Sequence, residues 1–197
     1  MTKPLVVFAG RSNVGKSSVI RHLTGKKVTV GKKPGSTKKE IKIDMGSVLM
    51  VDIPGFGFMS GMSKKRIDQT KTSIIRKLER WSDDIILAIL IVDISLFREL
   101  YERWSSRGEI PIDVEFYTFL SEIASNVIVT ANKMDKLKKT ERWVELDYLR
   151  RRLLEYMPNQ EPIIVPISAK EDKNIGRLKH TVEQTLVQSG VRSPDWP

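Results

Sequence analysis

The chain contains no cysteine. That excludes disulfide bonds, thiolate metal sites and a cysteine nucleophile together, and it fits a reducing cytosol. Long apolar runs are also missing. The longest, Ile85–Val92, is eight residues, whereas a membrane-spanning helix needs about twenty, so this stretch reads as a buried strand. Leu5–Gly10 is too short for a signal-peptide core and no cleavage-site pattern follows it. Lipidation motifs and amphipathic anchors are lacking as well. These absences lead us to expect a soluble, cytoplasmic monomer with no membrane partner. There are no repeats, no low-complexity tracts and no linker rich in Pro, Gly or Ser, and 197 residues suit one well-buried core. Residues 1–190 are assigned to a single domain and 191–197 to a C-terminal tail. Only two histidines occur, His22 and His180. Neither has a metal-ligating partner at useful spacing, so both read as surface or packing residues.

What the chain does have is positive charge, unevenly placed. The formal net charge is +10. Residues 1–80 hold 18 Lys/Arg against 5 Asp/Glu, and the remainder 16 against 19. The excess therefore lies wholly in the first half. It is either a solvated surface or a patch for a polyanion such as nucleic acid.

Short β-type runs alternate with helical patterns. The strands expected are Leu5–Ala9, Glu40–Asp44, Ser47–Ile53, Ile85–Asp93, Val127–Ala131 and Ile163–Pro166, several of them continuously apolar, as strands covered on both faces should be. One helix is expected to begin at Lys16, and Lys65–Trp81 is read as another. A helical segment within Leu96–Ser125 is interrupted near Gly108–Pro111. Thr140–Met157 carries a stripe of Trp143, Leu146, Leu149, Leu153 and Met157, and Asn174–Gln188 carries Ile175, Leu178, Val182 and Leu186. The stripes are read as core packing. Such alternation implies an open, mostly parallel α/β sheet with helices on both faces, whose ligands bind beyond the carboxyl ends of the strands.

The chemistry-bearing motifs fall at those ends. Gly10-Arg11-Ser12-Asn13-Val14-Gly15-Lys16-Ser17 fits G-x-x-x-x-G-K-[ST] between a strand and a helix, the pattern of a phosphate-binding loop. Its backbone N–H groups and the helix N-terminus suit an anion. Lys16 would reach the β- and γ-phosphates, and the Ser17 hydroxyl, followed by Ser18, would bind Mg²⁺. Asp52-Ile53-Pro54-Gly55 is a D-x-x-G. There Asp52 would hold Mg²⁺ through a water, and the Gly55 N–H would sense the γ-phosphate. Asn132-Lys133-Met134-Asp135 is an N-K-x-D, which selects the base. The Asp135 carboxylate can accept two hydrogen bonds from guanine, and adenine offers neither donor, so a buried carboxylate facing adenine would be left unpaired. The Lys133 stem would cover the base, and Ser168-Ala169-Lys170 would give a backbone N–H to the guanine oxygen. A further Mg²⁺ contact is expected from Pro34-Gly35-Ser36-Thr37, with Thr37 the best candidate and Ser36 and Thr29 its competitors. Lys16, Thr37 and Gly55 are the residues expected to act in catalysis, on GTP.

With these elements in order the chain resembles the TRAFAC-class GTPases, and more narrowly the EngB (YihA/YsxC) family of small GTPases linked to large ribosomal subunit assembly. The residues carrying the resemblance are G-R-S-N-V-G-K-S-S at Gly10–Ser18, P-G-S-T at Pro34–Thr37, D-I-P-G-F-G-F at Asp52–Phe58 and N-K-M-D-K-L at Asn132–Leu137. It extends over nearly the whole chain. The commonest family pattern has P-G-R-T, a tyrosine in place of Phe56, and T-K-x-D. Here Ser36, Phe56 and Asn132 differ, which suggests an archaeal-type member. The resemblance implies a P-loop GTPase fold: six strands, mostly parallel with one antiparallel edge strand, and helices on both faces. It also implies ribosomal RNA or a ribosomal subunit as partner.

Hydrolysis is expected to be slow. The residue after D-x-x-G, a water-orienting glutamine in Ras-like switches, is Phe56, which has no hydrogen-bonding group. The loop offers no arginine aimed at the γ-phosphate, since Arg11 is read as pointing outward. Asn13 either helps to bind K⁺ in place of an arginine's charge or is there for turn geometry. Lys26, Lys27, Lys32, Lys33, Lys38, Lys39 and Lys42 surround the first variable loop, and Lys64, Lys65, Arg66, Lys71, Arg76, Lys77 and Arg80 follow the second. A polyanion bound there would distinguish two nucleotide states. Arg150-Arg151-Arg152 either extends that surface or is a solvated helix face. The alternatives are a GTPase switch with another cellular role, in cell division or protein-partner regulation, and, disfavoured by Asn132–Asp135, a P-loop ATPase.

Overall fold

A computed structural model describes residues 3–26, 40–55 and 64–197, the side chains of 64–70 excepted. The chain order is β1 (Leu5–Gly10), α1 (Lys16–Thr24), β2 (Ile41–Asp44), β3 (Leu49–Asp52), α2 (Lys64–Arg80), β4 (Ile85–Asp93), α3 (Ile94–Ser105), α4 (Ile112–Ile123), β5 (Val127–Asn132), α5 (Lys139–Tyr156), β6 (Ile163–Pro166) and α6 (Ile175–Gln188). Short 3₁₀ turns precede β4 and follow β5. The six strands form one sheet in the order β2-β3-β1-β4-β5-β6. Only the β2–β3 pairing is antiparallel.

The pleat explains how the two faces are filled. Along β1 every residue is buried, but alternate side chains leave on opposite sides. Val7 and Ala9 join Leu78, Phe97, Tyr101, Tyr117, Leu149 and Leu153 beneath α2, α3, α4 and α5. Val6 and Phe8 join Val19, Ile20, Leu23, Leu178, Val182 and Leu186 beneath α1 and α6. Strands covered on both sides must be apolar throughout, which is why β1, β4 and β5 read as continuous runs.

The long segment after β4 breaks where expected. Gly108 has a left-handed φ of +69°, and Pro111, with no N–H to donate, stands at the start of α4. Boundaries elsewhere move by a residue or two. Glu40 lies just outside β2, and Ser47 and Val48 belong to the turn joining β2 to β3.

The α5 stripe needs one correction. Leu149 and Leu153 are buried, but Trp143 is 76% exposed. The buried line of the helix runs through Leu146, Leu149 and Leu153. Trp143 lies seven residues before Arg150, two turns along the same line, and Arg150 faces solvent.

Residues 191–197 pack back onto the domain. Ser47 Oγ donates to the carbonyls of Arg192 and Ser193 at 2.7 and 3.0 Å, and the Asp195 N–H donates to Met45 O at 3.0 Å. The Trp196 indole N–H reaches Glu183 on α6 at 2.6 Å. The segment thereby braces the β2–β3 turn against α6.

Candidate functional site

The sheet brings four strand ends together along one edge. Pairing sets Phe8 beside Asp52, Gly10 beside Ile91 and Asp93 beside Asn132. The loop after β1 curls over this edge and enters α1 at Lys16. Gly15 closes it with φ +96°. A Cβ there would lie 2.3 Å from Asn132 Nδ2, so both the backbone conformation and the space demand glycine. Asn13 also adopts a left-handed φ, +68°, and is exposed, the local geometry that asparagine tolerates best among residues with a side chain.

Lys16 and Asp52 form a buried ion pair. Asp52 Oδ1 accepts from the ammonium, while Oδ2 is buried with no hydrogen-bond partner among the described residues. Burial pushes the Asp52 carboxyl up, and the charge and hydrogen bond of Lys16 oppose the push. A buried carboxylate oxygen without a donor fits a hard cation or one of its waters, and Ser17 follows Lys16 at the head of α1. Gly55 comes close to the loop. A Cβ on it would stand 3.2 Å from both the Ser12 N and Oγ, so the D-x-x-G segment and the loop meet at Ser12.

Asn132 ties three elements together. Its Nδ2 donates to Val14 O at 2.8 Å, and its Oδ1 accepts from the Ala169 N–H at 3.0 Å. Lys133, at a left-handed φ of +68°, donates to Asn13 O at 2.6 Å and to Asp93 at 2.7 Å. Asp135 accepts from the Ser168 hydroxyl at 2.5 Å. That hydrogen bond holds its carboxyl below the ordinary range, so it is ionised at neutral pH. Ser168, Ala169 and Asn132 are buried and Lys170 is exposed. The Ser168 N–H is already paired with Lys173 O and that of Ala169 with Asn132.

Three residues complete the site that sequence reasoning did not place there. Asp93 anchors Lys133 and caps α3 through the Ser95 N–H at 3.2 Å. Its signal was present, since it closes β4 at the same edge where Asp52 closes β3. His22, read as a surface or packing residue, faces the base-side loop. Its Nε2 lies 2.8 Å from Ala169 O and its Nδ1 3.1 Å from Asp172. Asp113 overturns the outward reading of Arg11. Arg11 Nε is 2.9 and 2.8 Å from the two Asp113 oxygens, and the Arg11 side chain is only 17% exposed. Burial pushes the Asp113 carboxyl up and Arg11 pulls it back. The loop is thus clamped to α4.

Pro34, Gly35, Ser36, Thr37, Thr29 and Phe56 lie outside the described residues, as do Lys27, Lys32, Lys33, Lys38 and Lys39. Of the basic residues around them, Lys42 and Lys77 stand over the Trp81 ring at 5.3 and 5.7 Å. Lys77 is paired with Glu40, and Lys71 with Glu115 on α4. Arg150, Arg151 and Arg152 are each paired as well, with Glu161, Asp147 and Glu155.

The buried Arg11–Asp113 pair makes a direct prediction. Removing one partner leaves a buried charge uncompensated, so Asp113→Ala should cost about 3–5 kcal/mol in urea denaturation. The double variant Arg11→Met/Asp113→Leu should lose clearly less. A double variant as unstable as Asp113→Ala would show that the charge is not what matters.

Comparison with known proteins agrees with this geometry. Residues 5–133 match the family model described as "50S ribosome-binding GTPase". The chain is 42% identical to the "Probable GTP-binding protein EngB" of Pyrococcus horikoshii over 92% of its own length and 83% of that protein. It is 44% identical to the protein of the same description from Methanosarcina barkeri, over 92% and 87%. A crystal structure of a probable GTP-binding protein engB superposes with a TM-score of 0.82 at 42% identity, covering 93% of this chain and 99% of that one. A crystal structure of a variant of Aquifex aeolicus Era bound to GDP·AlF₄⁻ matches at a TM-score of 0.65 and 25% identity, over 92% of this chain and 56% of that one. A chain with this sheet, this phosphate-loop geometry and these relatives is a GTPase, and it belongs to the EngB family of GTP-binding proteins.

Proposed function

We propose that this GTPase is a nucleotide-dependent switch that acts on the large ribosomal subunit through a basic, RNA-facing surface. The observation that carries the nucleotide half is Asn132, which joins the phosphate loop to the base-side loop through Val14 O and Ala169 N–H. A guanine nucleotide spans both loops in this reading. Gly10–Ser18 encloses the phosphates, with Lys16 leaving Asp52 to meet the β- and γ-phosphates. Asp135 accepts from guanine N1–H and N2–H₂, the Lys133 stem covers the ring, and Ser168, Ala169 and Lys170 face the guanine oxygen. Of these three, the Lys170 N–H is the donor not already committed to Lys173 O or Asn132.

Ser17, Thr37 and, through a water, Asp52 would hold Mg²⁺, which neutralises charge on the phosphates when bound. The unpartnered Asp52 Oδ2 supports that assignment. Thr37 and the Gly55 N–H report the γ-phosphate, and its loss releases the segments 34–37 and 52–55 that they belong to. Hydrolysis is slow in this reading: Phe56 cannot orient water, and Arg11, held by Asp113, is not free to stabilise the transition state. Asn13 is the residue that would favour K⁺ where an arginine's charge is missing.

The ribosomal half rests on the matched family description and on the lysines beside both switch segments. A polyanion held there binds one nucleotide state better than the other, which is what a switch requires.

Three measurements test the reading. Asp135→Asn should weaken GDP binding by about 10- to 100-fold, the worth of hydrogen bonds to a charged acceptor, and leave weak ADP binding unchanged. An equal loss for both nucleotides would remove Asp135 from base selection. Turnover should be faster in KCl than in NaCl, and equal rates would dispose of K⁺ at Asn13. Co-sedimentation with large ribosomal subunits should differ between GDP and a non-hydrolysable GTP analogue and weaken steeply with salt. No association in either state would leave a GTPase switch with another cellular role.

A further inference from the structure

Trp143 stands on the first turns of α5 with three-quarters of its surface exposed, and Val144 beside it is 53% exposed. Large aromatic side chains are rarely left so open without a partner. Trp81 and Trp196 show the contrast. The first lies beneath Lys42 and Lys77 and the second beneath Lys179, with its N–H bonded to Glu183. Among the described residues no ring or cation covers Trp143.

Its surroundings are basic. Lys136, Lys138 and Lys139 are all exposed. Lys138 is 83% exposed and touches Glu141 only at 3.9 Å, and among the described residues no ion pair occupies Lys136 or Lys139. Lys139 is one helical turn before Trp143, on the same face, with Cβ atoms about 5–6 Å apart. An open indole, with Lys139 one turn before it and Lys136 and Lys138 on the turn that leads into the helix, matches one kind of partner well. An unpaired nucleotide offers a π-face for the ring and a phosphate for the lysines, whereas the bases of a duplex are already stacked.

We propose that Trp143, with Lys136, Lys138 and Lys139, is a stacking platform for an unpaired nucleotide of RNA. The proposal rests on the RNA-facing reading above and adds a second contact to it, remote from the first. Lys42 lies on β2 and the platform follows β5, four strand spacings away, about 19 Å across the sheet. The platform also begins in the turn that holds Asp135, so an RNA resting on it adjoins the base-side loop.

The test uses the full chain with GDP bound and a single-stranded oligoadenosine probe. Trp143→Ala should weaken binding about 5- to 100-fold, the range for loss of one stacked base. Trp143→Phe should keep most of the affinity, and a duplex of equal length should not respond to either change. Replacing Lys136, Lys138 and Lys139 by alanine should flatten the salt dependence by about two units of slope. Unchanged GDP affinity serves as the check that each variant folds. If Trp143→Ala binds oligoadenosine like the wild type, the platform is overturned, while wild-type subunit association keeps the ribosomal reading alive. If Trp143→Ala loses subunit association but not oligoadenosine, a protein sits on the patch and the RNA proposal is overturned. A wild type that binds neither probe nor subunit sinks both.

Discussion

The site depends on one side chain standing between two loops. Asn132 spends its amide on Val14 O and its carbonyl on the Ala169 N–H. Both bonds are buried, where an unpaired amide costs about 1–3 kcal/mol. The phosphate loop and the base-side loop are therefore not independent. Displacing either one strands a polar atom of the Asn132 amide that holds the other. Gly15 shows how closely the contact is made, because even a methyl group there would collide with Asn132. The sheet makes the arrangement possible. Asn132 closes β5 in register with Asp93 on β4, and β4 is the strand that flanks β1.

Around that contact the loop is held by charge. Lys133 and Asp93 grip it at Asn13, and Asp113 grips it at Arg11. Buried ion pairs are poor sources of net stability, because desolvation consumes most of the Coulombic gain. Their value lies in geometry, since breaking one is far more costly than never having built it. Arg11 leaves the loop for Asp113 on α4, while Lys133 reaches into it from the end of β5, so the stretch is fixed from two sides. Lys16–Asp52 is the exception with a purpose. Each of its partners has another task in the proposed mechanism, and Asp52 keeps one oxygen free.

Much of this was legible in the sequence because the signals were local. Strands buried on both faces must be apolar, so β4 and β5 announced themselves as runs. The phosphate loop, D-x-x-G and N-K-x-D are each contiguous, and their places after apolar strands single them out where a four-residue pattern alone would not. What escaped was long-range or a matter of helical phase. Arg11 and Asp113 are 102 residues apart, and nothing near either of them names the other. His22 looked inert because its partners, Ala169 and Asp172, lie at the far end of the chain. Trp143 was misassigned by a smaller error. A stripe spaced by three residues drifts around a helix of 3.6 residues per turn, and its first member had rotated out of the core by about 60° per step.

Charge pairing also alters how the basic half of the chain should be understood. The composition suggests a broad cationic field, yet Lys71, Lys77 and Lys3 are already matched by Glu115, Glu40 and Asp44. Lys3–Asp44 is exposed and the other two pairs are half-buried; pairs that reach solvent are weak, worth about 1 kcal/mol or less when fully exposed, so a phosphate backbone can compete for their lysines. Competition has a consequence for switching. Lys71 belongs to α2, which follows the D-x-x-G segment, and Glu115 belongs to α4, which also carries Asp113 and so holds the phosphate loop. In the proposed reading, an RNA that drew Lys71 from Glu115 would remove that contact between α2 and α4 and leave the Arg11–Asp113 clamp in place. The phosphate loop would then stay fixed while the helix behind the D-x-x-G segment gained freedom to follow the nucleotide. Partner and nucleotide would thus act on the same helix, one at Lys71 in its middle and the other through the segment that precedes it, and that reciprocity is the condition for coupling between two sites.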